Sequence, residues 1–218
     1  MDFLRQSAAQ QDNCAAKSDH HLAQLPQELT RIIEALGNLM SLADKFASCF
    51  WGCHGKEHCF EDLVARAVSG ARAAFRLIEF GQYDEALALL RTLAEIGNLM
   101  WLFYNDQGHI RLWIDSPEGR KREYTPVKVR LKLEALSVPI PHDKDEYAEL
   151  CDIGIHPNPN FRPNARNAHR IPTVGGFYQE SQYIDCICKL SLALAKVAGP
   201  AAKVAILRGD VPSINSTA

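Results

Sequence analysis

The stretch ALALLRTLAEIGNLMWLFYND, residues 86 to 106, constrains the fold more than any other part of the chain. Leu87, Leu89, Leu90, Leu93, Ile96, Leu99, Met100, Trp101 and Phe103 cover most of a helical circumference. That pattern predicts a helix, from about Gln82 to Tyr104, buried nearly all round. At about 100° per residue, Glu95 falls roughly 40° from Arg91, and Asn98 about 20° to its other side. The three therefore form one polar stripe on an apolar rod. A guanidinium and a carboxylate in such surroundings are expected to pair with each other and to recruit further polar partners.

The rest of the chain reads as more helices around this one. Leu29, Ile32, Ile33, Leu36, Leu39, Met40 and Ala43 predict a helix from about Pro26 to Phe50, ended by Gly52 and Gly55. A second, about Lys56 to Phe80, carries Leu63, Val64, Ala67, Val68, Ala71 and Ala74 on one side and Arg66, Arg72 and Arg76 on another, and Gly81 closes it. After the central helix comes a looser region with Trp113 and Pro117. Residues 126–136 fit two patterns. Val127, Val129, Leu131 and Leu133 alternate as in a strand, whereas Thr125 followed by Pro126 reads as a helix start; helix is preferred.

Asp143 and Glu146 make a capping box for a helix that places Tyr147, Leu150 and Cys151 on one face. A proline disfavours helix in the residue before it, so His156 is expected just past that helix's C-terminus. A long Pro/Asn-rich loop follows, and a last helix from about Phe177 to Ala198 is ended by Gly199 and Pro200. The expectation is an all-α class: one helical-bundle domain over 19–200, with a disordered tail at 1–18 and another at 201–218.

With 218 residues and a formal charge of −2, bulk charge does not equip the chain to coat nucleic acid or an anionic membrane. The start MDFLRQSAAQQDNC lacks a basic region followed by an apolar run, and no run of eighteen uncharged apolar residues occurs. The reading is therefore a cytoplasmic protein without a membrane partner. Seven cysteines are an odd number, read as thiols rather than as a disulfide framework.

The segments EALALLRTLAEIGNLMWLF and YAELCDIGIHPNP, some fifty residues apart, resemble a group of bacterial helical proteins related to the HEPN (higher eukaryotes and prokaryotes nucleotide-binding) superfamily. The resemblance covers about residues 58 to 198. It implies a helical bundle, often a homodimer, and in many members a ribonuclease whose signature is Arg, four to six residues, then His near a helix end. His156 takes the His position. The Arg positions hold Glu149, Leu150 and Cys151, so a guanidinium would have to come from Arg91 on the neighbouring helix.

The site expected on this basis places Arg91, Glu95, His156 and Tyr147 in catalysis and needs neither metal nor cofactor. Arg91 clamps a phosphate, Glu95 orients it, His156 acts as acid or second phosphate contact, and Tyr147 completes the pocket. Asn98, Arg162, Arg166 and His169 are the expected ligand contacts, and RNA or a nucleotide the expected partner. Arg162 and His169 reproduce the signature spacing, but a match that short arises by chance. The alternative is a non-catalytic interaction or dimerisation module whose buried Arg–Glu pair is structural.

Two further clusters carry weaker signals. Cys49, Cys53, His54, His58 and Cys59 are zinc-type donors, yet their spacing matches no established finger; thiols in a core and histidines on a loop explain them, and no metal is expected. The basic run RKREYTPVKVRLK, with Arg120, Lys121, Arg122, Lys128, Arg130 and Lys132 around Tyr124, suits a single-stranded RNA track. A solvated helix face is the commoner meaning of such a run.

Overall fold

The computed structural model describes residues 2–24, 59–154, 171–172 and 175–208, together with isolated helical positions between 27 and 41. Most of the helix expected over Pro26–Phe50 lies outside the described residues. Among those described there are eight bounded helices and no strand, which makes the protein an all-α helical bundle. They are α1 (Asp2–Leu22), α2 (Cys59–Glu79), α3 (Tyr83–Asn105), α4 (Gly108–Asp115), α5 (Pro117–Glu123), α6 (Pro126–Ala135), α7 (Lys144–Gly154) and α8 (Glu180–Arg208).

α3 is the centre: it contacts α2, α4, α6, α7 and α8. Ala86, Leu87, Leu90, Leu93, Ala94, Met100 and Phe103 join one core with the apolar faces of α2 and α8. By length and composition α3 could cross a membrane, but 67% of its most apolar window is buried inside the bundle. Gly81 ends α2 in a Schellman turn, with a φ of 72°. Its N–H donates to Ile78 O at 3.0 Å, and Gln82 N donates to Leu77 O at 2.8 Å. A Cβ on Gly81 would lie 2.7 Å from the Phe177 backbone, so this glycine also admits the close approach of the segment that leads into α8.

Three elements differ from the sequence reading. Of residues 1–18, expected as a tail, 2–18 belong to α1. Its anchors are polar: Gln10 Nε2 donates to Gly176 O at 2.8 Å and Ser18 Oγ to Glu79 O at 3.0 Å. Bonds from side chain to backbone leave no apolar periodicity to read. The looser region after α3 is two short helices, α4 and α5, neither of which buries a residue. Ser116 caps α5 by accepting from Gly119 N, with Pro117 in the first turn.

The third difference is α8, which runs through Pro200 to Arg208. A proline clashes with the Cβ of the residue before it in helical conformation, and Gly199 has none. Pro200 cannot donate to Lys196 O, and that carbonyl faces α3 at Gly97, 3.3 Å from where a Cβ would stand. The last helix therefore supplies residues 201–208, read as tail, while 209–218 lie outside the described residues.

α6 resolves the helix–strand ambiguity. In a helix the alternating residues separate into two pairs four apart: Val129 and Leu133 are buried, whereas Val127 and Leu131 stay 53% and 56% exposed. Val129 and Leu133 pack with Leu102 in a small second core. Of the capping box only half forms. Asp143 accepts from Asp145 N and Glu146 N at 3.0 and 2.9 Å, but the Glu146 carboxylate turns instead to Lys196, at 2.8 and 3.0 Å.

Candidate functional site

Arg91 and Glu95 project from one side of α3, one turn apart, and α7 brings Tyr147 against them. Arg91 Nε donates to Tyr147 Oη at 2.8 Å, and Tyr147 Oη donates to Glu95 Oε1 at 2.8 Å. Arg91 Nη2 lies 3.0 Å from that same carboxylate oxygen. The three side chains thus close a ring of charge-assisted contacts. They are not sealed in the core: the Arg91 and Glu95 side chains are 28% and 36% exposed, less buried than the stripe's sequence setting predicts.

The ring settles the protonation states of two members. Burial raises the pKa of Tyr147; the Arg91 hydrogen bond opposes this and Glu95, as acceptor of the phenolic proton, adds to it. Desolvation works against the charge of Arg91, but its bond to Tyr147 and the charge of Glu95 outweigh it and raise its pKa. At neutral pH the phenol keeps its proton and the guanidinium its charge.

Glu95 and Tyr147 face a cleft of about 640 Å³. α2 contributes Asp62, Leu63 and Arg66 to it; α3 adds Thr92, Ile96, Asn98 and Leu99; Trp113, Ile114, Arg120, Tyr124, Pro126 and Val129 close the far wall. Arg120 lies 4.8 Å over the Trp113 ring and donates to Ile114 O at 3.4 Å. Tyr124 Oη donates to His109 O at 3.2 Å and meets His109 Nδ1 at 2.9 Å. The cleft combines an apolar floor, aromatic faces and charges of both signs, in the size range of small-molecule sites.

Asn98 lines this cleft but its carboxamide is engaged elsewhere. Asn98 Nδ2 donates to His142 O at 2.8 Å and His142 N donates to Asn98 Oδ1 at 2.9 Å, both buried. Expected as a ligand contact, Asn98 clasps the backbone that enters α7. Beside it, His142 Nδ1 lies 3.0 Å from Glu146 Oε1, outside hydrogen-bond geometry. Burial lowers the His142 pKa, Glu146 opposes that, and Lys196 adds to it.

One arginine joins the site unannounced. Arg130 of α6 lies 5.3 Å over the Tyr147 ring, while Arg91 is 5.5 Å from the same centroid. Arg130 is 8% exposed, and its Nη1 is buried without a hydrogen-bond partner. The sequence marks it only as one charge in a basic run, several of whose members are engaged locally. Arg122 and Lys128 pair with Glu123 at 3.0 and 3.5 Å, and Lys132 stands 5.7 Å over Tyr124. Trp113 and Arg66 were legible only as parts of their own segments, because nothing local links α2, α4 and α6.

His156, Arg162, Arg166 and His169 lie outside the described residues. So do Cys49, Cys53, His54 and His58, and the side chain of Cys59. Among the described residues, no three His, Cys, Asp or Glu side chains converge as a metal site would require. Cys14, Cys151, Cys186 and Cys188 are thiols. The positions where the HEPN signature places its Arg are otherwise engaged: Glu149 pairs with Lys189 at 2.9 Å, and Leu150 and Cys151 are buried.

Fold and site together define a helical bundle with a mixed polar–aromatic cleft along its central helix. Comparison with protein-family models, with curated proteins and with solved structures finds no match to this chain.

Proposed function

We propose that the protein is a HEPN-like helical bundle that binds a nucleotide, free or at the end of an RNA strand, in the cleft along α3. The observation that carries this reading is the lining itself: Trp113, Tyr124 and Tyr147 bring aromatic rings to the cleft for a base to pack against, and Arg66 and Arg120 bring charge for a phosphate. Thr92, Asp62 and Glu95 supply the hydrogen-bonding groups that ribose hydroxyls and base edges require. Binding is favoured over cleavage because Arg91 is already engaged through Nε and Nη2. Cleavage would require His156 as the acid beside this ring.

The test is a titration of the full chain with nucleoside monophosphates and with a short oligoribonucleotide, followed by Trp emission. A saturable change, absent in Trp113→Phe and weakened roughly tenfold in Arg120→Ala, is the expected result. No saturable response to any of these ligands would overturn the reading. A ribonuclease assay of wild type, Arg91→Ala and His156→Ala separates binding from catalysis.

A second reading has its own support. Leu112, Val127, Leu131 and Leu136 are exposed on α4 and at α6, which suits a non-catalytic helical module that forms a homodimer, with the Arg91–Glu95 pair structural. Light scattering on wild type and Leu131→Glu tests it; a monomer in both removes it.

A further inference from the structure

Among the described residues Arg130 is a buried cation with no counter-charge. It forms no ion pair and no hydrogen bond there, and Glu134, one turn further along α6, is exposed and makes none with it. Arg91 is compensated by Glu95 at 3.0 Å. Around the Tyr147 ring, therefore, two guanidinium groups face one carboxylate. A ring face recovers only part of the hydration that a buried guanidinium gives up, and a buried charge ordinarily has an anionic or hydrogen-bonding partner.

We propose that Arg130 is the binding residue of an oxyanion subsite beside Tyr147, one that takes a phosphoryl or carboxylate group of the ligand. A planar guanidinium fork matches either group bidentately. Tyr147 ties the subsite to the cleft, because it lines the cleft and lies under Arg130. The subsite deepens the cleft reading and rests on it only for the rest of the ligand. The anion itself needs no base and no ribose.

The experiment measures the melting temperature of the full chain against inorganic phosphate and against acetate, each compared with sodium chloride at equal ionic strength. Wild type is expected to show a saturable rise, which Arg130→Met loses and Arg122→Gln, at an exposed arginine outside the cleft lining, keeps. A rise in phosphate alone assigns a phosphoryl group, and a rise in acetate alone a carboxylate. General salt exclusion moves wild type and variant alike, so equal shifts in wild type and Arg130→Met overturn the proposal, as does no saturable response to either anion. Should Arg130→Met fail to fold, Arg130→Lys carries the test: the apparent affinity falls roughly ten- to hundredfold if the fork binds the anion, and unchanged affinity refutes it. A phosphate response without any nucleotide response in Trp emission separates failure of the cleft reading from failure of the subsite.

Discussion

Asn98 and Tyr147 sit within one stretch of interface, yet their polar groups do different physical work. The Asn98 carboxamide satisfies a buried N–H and a buried C=O of His142. Asn98→Leu is expected to cost about 3 kcal/mol, since both backbone groups lose their partner away from water. Tyr147→Phe removes one hydroxyl from a half-exposed ring of contacts in which Arg91 and Glu95 still meet, and about 1 kcal/mol is expected. Urea midpoints at unchanged m-value check both. The stripe was legible from spacing alone. That Arg91 and Glu95 turn to Tyr147 while Asn98 turns to a backbone was not, because the partners lie 44 to 56 residues away.

His142 belongs to this scale too. Burial holds its pKa below the ordinary 6.5, against Glu146 and Asp143 and in concert with Lys196. His109 is lowered as well, by burial first, with Asp106 opposing and Lys132 adding. The unfolded chain binds more protons than the folded one between the lowered values and 6.5, so stability rises with pH through that window. It is complete above the ordinary value and declines as pH falls below it. Denaturant midpoints are expected to drop between about pH 7.5 and about pH 5.5, and less steeply in His142→Asn than in wild type.

At the scale of elements, the packing of α3 on α8 depends on one missing methyl group. A Cβ on Gly97 would press against the Lys196 carbonyl at 3.3 Å and the His142 ring at 3.5 Å, whereas one on Gly70 would meet only a side-chain atom, Leu93 Cδ1, at 3.2 Å. Gly97→Ala should destabilise by about 1–3 kcal/mol through overpacking against backbone. Gly70→Ala should change stability by less than about 1 kcal/mol, because helix propensity offsets a small side-chain shift. Thermal unfolding of the two variants decides it. α8 also shows why local signals mislead. Gly199–Pro200 reads as a stop, but here the pair lies within the helix: Gly199 has no Cβ to clash with the proline ring, and the Lys196 carbonyl left without its helical donor lies against Gly97 of α3.

At the scale of the molecule, burial among the described residues is unevenly spread, and the cleft borders a stretch where it is thin. α3 is buried along most of its length, while α4 and α5 bury no residue although Trp113, Ile114 and Arg120 form one wall of the cleft. Amides of 108–123 are expected to exchange with deuterium well before those of 86–103, and a ligand in the cleft to slow the former selectively. Mass-spectrometric exchange with and without a nucleoside monophosphate measures both.

The all-α class and the central position of α3 were determined by the sequence itself, because an apolar surface that wraps a helix leaves a chain no alternative to surrounding it. The identity of the groups that meet the stripe was decided only in three dimensions. Whether α6 exposes Val127 or buries it, whether α8 ends at Gly199 or passes through Pro200, and which ring Arg130 covers all depend on neighbours distant along the chain. Periodicity specifies which face of a helix is buried; it carries no information about which other helix will cover it.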